Sequence, residues 1–214
     1  MRFSKIGARQ MVKSLTARDY VQNGLVAMWD GIENAGWGVH DPNATTWVDL
    51  CRNNELVQTS GTLTFGDNYA YLDGSSYLSV TSPATLLSYF PNITVEIVFT
   101  ALGNGGVMNF GSKLRGWWIY NGQWNVCNSG LVHYTKNEIV YGAMQGGTLT
   151  WKDGVKQAVV TPYTSIGEYI TIGYGNFVGM AECRINALRV YSRVLSDAEI
   201  TMNYAVDKLR FNLP

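Results

Sequence analysis

Two stretches of the 214-residue chain set flat aromatic rings among amides, carboxylates and glycines. That combination stacks on the apolar face of a sugar ring while hydrogen-bonding its hydroxyls. The first, ENAGWGVHD from Glu33 to Asp41, gathers Trp37, His40 and Asp41 in one polar loop. The second, WWIYNGQW from Trp117 to Trp124, must put Trp117 and Trp118 on opposite faces of a strand, so one of the two can face solvent. Trp37, His40, Asp41, Trp117, Trp118, Tyr120 and Trp124 are therefore the candidate glycan-binding residues. Bond-breaking chemistry is not matched. Glycosidases use two carboxyls about 5–9.5 Å apart, a spacing that alternate residues on one strand, ~6.6–6.8 Å apart, would supply. The strongest strand pattern, NITVEIVFT from Asn92 to Thr100, holds Glu96 between Thr94 and Val98 on its own face. With the dyad missing, Glu96 reads as a solvated or hydrogen-bonded residue on the outer side of a half-buried strand, and we expect no enzyme.

Other chemistries fall away in the same manner. His40 and His133 come without a GxSxG nucleophile motif. Gly106 to Lys113 places Ser before Lys, the reverse of the order that phosphate and magnesium roles need. Cys51, Cys127 and Cys183 form no CxxC pair, so they read as reduced, mostly buried thiols. Calcium is the one cofactor left open, because Asp30, Asp41, Asp67 and Asp73 offer hard oxygen ligands in loops, without a recognisable loop signature.

The elements that must position these residues are strands. From Tyr20 onward, short apolar runs alternate with Gly, Asn, Asp and Ser clusters, and helical periodicity is confined to the tail. Strands are expected at 25–29, 46–50, 63–65, 69–72, 77–80, 107–110, 117–120, 124–127, 138–144, 149–151, 169–172 and 183–191, and the run at 92–100 should lie centrally. Asn121-Gly122 and Asp153-Gly154 are hairpin turns. In the last strand the inward phase shifts between Ile185 and Leu188, which predicts a bulge near Asn186-Ala187. Ser196 and Glu199 form a capping box with Leu195 and Ile200 at the staple positions, so a helix should run from Asp197 to near Lys208.

Composition bounds the partners. Charged residues make up 15% and aromatics 13%, the formal net charge is zero and the isoelectric point is near 6.7, which gives no general attraction to nucleic acid or anionic lipid. Five cations, Arg2, Lys5, Arg9, Lys13 and Arg18, against Asp19 alone mark residues 1–20 as a basic arm ahead of a weakly acidic body, residues 21–214. The start lacks the apolar stretch of a secretory signal, and no segment approaches a membrane span of ~18 apolar residues, so synthesis in a cytoplasm is expected.

Three segments resemble the laminin-G-like family of the concanavalin-A superfamily. GLVAMWDG followed by TTWVDL is similar to the family's opening strand and W-x-D-L segment; YAYLDGSSYLSV is similar to its l-x-F-d-G-x-x-d-y-v. INALRVYSRVLSDAEI is similar to its ending, with Arg189, Tyr191, Arg193, Leu195, Ser196 and Glu199 at family spacing. The resemblance spans about residues 21 to 208. It implies an all-β, two-sheet antiparallel jelly-roll sandwich with one short C-terminal helix. GLVAMWDGIENAGWGVHDPNATTW is also similar to single-domain proteins of tailed phages and gut bacteria. The expectation is a non-catalytic recognition module of a larger assembly such as a phage virion. It would be homo-oligomeric, bind a glycan or a neighbouring subunit, and engage other assembly proteins through its arm. The alternatives are a purely structural decoration protein and a divergent glycoside hydrolase.

Overall fold

The computed structural model describes residues 14–110, 116–120, 123–126, 131–133, 136–145, 149–157, 167–175 and 178–214. A short 3-10 turn at Ala17–Asp19 leads into β1 (Leu25–Asp30), β2 (Trp47–Val48), β3 (Glu55–Ser60), β4 (Thr64–Gly66), β5 (Tyr69–Asp73) and β6 (Tyr77–Val80). A one-turn helix, α1 (Pro83–Leu87), precedes β7 (Thr94–Ala101), β8 (Gly105–Asn109), β9 (Gly116–Tyr120), β10 (Gln123–Val126) and β11 (Leu131–His133). Then come β12 (Ile139–Gln145), β13 (Leu149–Lys152), β14 (Val155–Lys156), β15 (Thr171–Ile172), β16 (Tyr174–Gly175), β17 (Gly179–Met180), β18 (Glu182–Tyr191) and the closing helix α2 (Asp197–Phe211).

Two sheets result. One runs β14-β13-β12-β7-β18-β5-β4, with β1 also paired to β18; the other runs β11-β10-β9-β8-β15-β6-β3-β2, with β16 and β17 attached beside β8. Between them lies the main core, where Val95, Ile97 and Phe99 of β7 meet side chains such as Leu56, Leu78, Met108 and Ile172 from the other sheet. Among the described residues, pairing is antiparallel except for Met180 beside Gly106. The expected all-β, two-sheet sandwich with one C-terminal helix is therefore the fold.

β18 has two neighbours along one side, and the expected bulge is where they change over. Its first half pairs with β5 and its second with β1, while against β7 the register slips between Ile185 and Ala187. The extra residue reverses the phase, so Cys183 and Ile185 before it and Leu188 and Val190 after it all face the main core. Asn186 closes the seam: its amide donates to the Asn68 carbonyl at 2.9 Å, and its own carbonyl accepts from the Gly31 amide at 2.7 Å.

The outer face of the first sheet is covered rather than solvated, and this corrects the reading of Glu96. Val98, Tyr141, Ala187 and Tyr191 on that face pack against Ile200 and Phe211 of α2. Glu96 does point to this outer side, but it has no exposed surface. Its carboxylate accepts from Arg189 Nε at 2.7 Å, the Tyr141 hydroxyl at 2.6 Å and the Asn203 amide at 2.9 Å. Arg189 continues to Asp207 of α2 at 2.9 and 2.5 Å. Burial, opposed by Arg189, raises the Glu96 carboxyl above its usual range. Burial and the Glu96 charge hold Tyr141 well above the usual phenol range, so it donates.

The basic arm is shorter than its charges imply. Ala17 and Tyr20 are fully buried, the Tyr20 hydroxyl donates to Asp207 at 2.6 Å, and the Val21 amide donates to Asn203 at 2.9 Å. Residues 15–20 thus belong to the packed body, because burying the Tyr20 ring outweighs the cost of ordering this polar segment. Arg2, Lys5, Arg9 and Lys13 lie outside the described residues.

Two predictions follow from the covered face. Arg189→Ala leaves two buried carboxylates without their cation and should cost about 3–5 kcal/mol of stability, read as a drop in the urea midpoint. The α2 cap gives a pH signature. Arg193 and the Ser196 amide hold the Glu199 carboxyl down from 4.5 to about 2, so its contribution is present above pH 4.5 and is lost as pH falls toward 2. The raised Glu96 carboxyl acts in the opposite direction, its contribution fading as pH rises through its folded value. Replacing Glu199 by Gln should flatten the stability-against-pH curve of the variant relative to the parent in that acid window; superimposable curves would contradict the assignment.

Candidate functional site

Trp37 is held at the tip of a tight turn. The Val39 amide donates to the Gly36 carbonyl at 2.9 Å, and Gly38, the third residue of the turn, has φ +70°, the position at which a type II turn calls for glycine. A side chain at Gly36 or Gly38 would meet no atom within 4 Å, so backbone conformation, not crowding, dictates glycine here. The turn is tied down by Glu33, which accepts from the Gly38 amide at 2.8 Å, the Ala17 amide at 2.7 Å and Arg210 at 3.2 Å. Arg210 also grips both oxygens of Asp30, at 2.5 and 3.1 Å. The Asn34 side chain donates to the Asp41 carbonyl at 2.7 Å and accepts from the Asp41 amide at 2.8 Å, closing the base of the loop.

A second loop, after β2, is built on Asp49. Its Oδ1 accepts the amides of Met28 and Cys51 at 2.8 and 2.9 Å; its Oδ2 accepts those of Asn53 and Asn54 at 3.1 and 3.0 Å. Between the two loops opens a pocket of about 560 Å³, to which Trp37, Thr46, Arg52, Asn53 and Asn54 contribute. The buried side chains of Trp47 and Leu56 give it an apolar floor. Trp37 is half-buried, with the Arg18 guanidinium 4.3 Å from its ring centroid. An aromatic side chain, a hydroxyl, two amides and a guanidinium around an apolar floor suit a small polar ligand with one apolar face.

The candidates from sequence divide. Trp37 lines the pocket, whereas His40 is exposed with Nδ1 3.1 Å from the Ile32 carbonyl, and Asp41 accepts from the Asn43 amide at 2.8 Å, shaping the loop beside it. Trp117 has no exposed surface and packs in the main core, so it offers no ring to a ligand. β9 and β10 pair in the expected hairpin register, Tyr120 opposite Gln123. The side chains of Trp118, Tyr120 and Trp124 lie outside the described residues. Asp30 is buried against Arg210, and Asp73 is taken up by Ser75 and Ser76. Neither these two nor Asp41 and Asp67 join a group of three or more His, Cys, Asp or Glu able to hold a metal among the described residues. Thr46, Arg52, Asn53 and Asn54 were not singled out by sequence; the Arg-Asn-Asn run after Asp49 reads as an ordinary polar turn until Trp37 is set opposite it.

No protein-family model matches the sequence, and none of the curated protein sequences does. Solved structures do share the fold. Trypanosoma rangeli sialidase in complex with sialic acid superposes with a TM-score of 0.63 at 15% identity, over 87% of this chain and 33% of the sialidase. The chain thus spans about a third of the length of that enzyme. Domain 4 of AbnA, a GH43 extracellular arabinanase from Geobacillus stearothermophilus, in complex with arabinotriose, matches with a TM-score of 0.61 at 15% identity, over 83% of this chain and 96% of the domain. The receptor-binding domain of botulinum neurotoxin C/D mosaic serotype gives 0.58 at 13% identity, over 85% and 51%. At these identities the likeness establishes the β-sandwich.

The second loop yields its own prediction. Asp49→Ala strands four backbone amides and should destabilise the protein by about 2–4 kcal/mol. Amide exchange should rise first at Cys51, Asn53 and Asn54; protection unchanged at those three positions would show that Asp49 does not build the loop.

Proposed function

We propose that the chain is a carbohydrate-binding module that recognises an oligosaccharide in the pocket between the Trp37 turn and the Asp49 loop, without cleaving it. The observation that carries this reading is the pocket itself. It has a half-buried tryptophan on a glycine turn that is pinned from below by Glu33, and facing amides on a loop held rigid by Asp49. Preorganised rings and amides bind saccharides at little ordering cost. The overlap with nearly the whole of an arabinanase domain in complex with arabinotriose supports a stand-alone binding unit of this size. Binding without hydrolysis is supported by Glu96 and Asp207. They are two carboxylates joined through one arginine, yet both are fully buried between the sheet and α2, where no glycosidic bond can reach them.

For a finer kinship with laminin-G-like domains, which we propose, the support is the ending INALRVYSRVLSDAEI. Its family-spaced residues include the buried Arg189, the Arg193–Glu199 pair at 2.6 Å and the Ser196 cap, which together seat α2 on the sheet. A glycan array followed by calorimetry tests the reading. The parent protein should bind a defined set of oligosaccharides. Trp37→Ala should weaken that binding by tenfold or more, as loss of a stacking ring does, and Asn53→Ala by less, with both variants retaining cooperative unfolding. Binding unchanged in Trp37→Ala would remove this pocket from consideration.

A further inference from the structure

We infer that the sugar held in this pocket is acidic: Arg52 receives a carboxylate of a saccharide whose ring stacks on Trp37. The inference rests on the carbohydrate-binding reading and specifies its ligand class. Two side chains lining the pocket carry charge, Asp49 and Arg52, and they are in opposite situations. Asp49 is 2% exposed and each of its oxygens already accepts two backbone amides, with the Asn54 side chain a further donor at 3.4 Å. Four amide dipoles converge on that carboxylate, so its charge is compensated locally and it has no lone pair left for a sugar hydroxyl.

Arg52 is exposed and makes no ion pair among the described residues. It is therefore the uncompensated charge of the pocket lining, and that charge is positive. A second guanidinium, that of Arg18, lies on the Trp37 ring at 4.3 Å and likewise has no carboxylate partner among the described residues. Trp37, which lines the pocket, thus carries a second guanidinium on its ring, and positive charge beside the lining favours an anionic ligand over a neutral one.

Asn54 adds an acceptor to the lining. It lines the same pocket, is 5% exposed, and its amide oxygen has no hydrogen-bond partner among the described residues. A buried acceptor left unpaired is costly, and a sugar hydroxyl is a donor of the right kind. Together the groups prescribe a ligand with a carboxylate for Arg52, a hydroxyl for Asn54 and an apolar ring face for Trp37, which is a uronic or other carboxylate-bearing sugar. The planar fork of a guanidinium matches a carboxylate through two parallel hydrogen bonds. A densely sulfated polymer is a poorer fit. Five of the sixteen basic residues fall in residues 1–20, which leaves the rest of the chain with an excess of acid and no surplus of positive charge along which a polyanion would lie.

The test uses the full chain in calorimetric titrations with trigalacturonate, its methyl ester, sialyllactose and lactose. The ester and lactose keep the rings and remove the charge, and the two acidic probes distinguish the source of the carboxylate. At least one acid should bind tenfold or more tighter than its neutral counterpart. Raising salt from 50 to 500 mM should narrow the gap; Arg52→Gln should abolish it, and Arg52→Lys should restore part of it. Equal binding of acid and neutral forms, or a preference that survives Arg52→Gln, overturns the inference. So does a heparin oligosaccharide that binds tighter than every carboxylate sugar and is unaffected by Arg52→Gln. If neutral sugars bind and Trp37→Ala abolishes that binding, the carbohydrate reading stands while the acidic ligand falls. If no saccharide binds the parent protein, both fall.

Discussion

The charged cluster centred on Arg189 is the interaction around which the molecule is arranged. A guanidinium with no solvent contact sits between a strand carboxylate, Glu96, and a helix carboxylate, Asp207, with the Tyr20 ring 4.0 Å from it. Removing such charges from water costs several kcal/mol per ion, and only close, fully hydrogen-bonded geometry offsets this. The geometry is met by donors from four elements: Tyr141 from β12, Asn203 from α2, Arg189 from β18 and Tyr20 from the N-terminal segment. Apolar contacts alone would let α2 slide on the sheet. The ion cluster accepts one register, so it specifies position where burial of Ile200 and Phe211 supplies the attraction.

The pocket inherits its shape from the same cluster. Arg210, one turn beyond Asp207 on α2, donates to the Tyr20 hydroxyl at 3.1 Å and grips Asp30 and Glu33. Glu33 in turn holds the Gly38 amide of the Trp37 turn. A continuous path of charge-assisted hydrogen bonds therefore leads from the buried arginine to the Trp37 turn that lines the pocket. The loop opposite hangs on Asp49, whose reach to the Met28 amide fixes it to β1. Both walls are thus referred to one strand, and the spacing between them is set by the fold and not by the loops' own preferences.

The sequence made legible whatever depends on neighbours along the chain. The alternation in NITVEIVFT located β7, the phase slip marked the bulge at Asn186, and Ser196 with Glu199 marked the start of α2, because each is decided within a few residues. The polar loop around Trp37 was legible as a loop, though not the tight turn at its tip. The hub was not. Glu96 alternates with apolar residues as any surface carboxylate would, and only the arrival of α2, 107 residues later at Asn203, makes its face an interior. Asp30 and Glu33 read as loop acids until Arg210 meets them across 180 and 177 residues. β3 and α1 went unseen because ELVQTS and PATLL carry too little periodicity over so few residues. Trp117 was open to two faces until the second sheet's packing chose the inner one.

The joining of Tyr20 to Arg210, 190 residues apart, has a consequence for how the molecule comes into being. Until α2 has left the ribosome, the outer face of β7, β12 and β18 stands bare, with Glu96 and Arg189 wetted and Val98, Tyr141 and Ala187 uncovered. Contacts of such long sequence separation form late, since the loop they close must first be ordered. The helix therefore behaves as a closing clasp. Removing it would uncover Val98, Tyr141, Ala187 and Tyr191 at once and strand the Glu96–Arg189 pair without its cover.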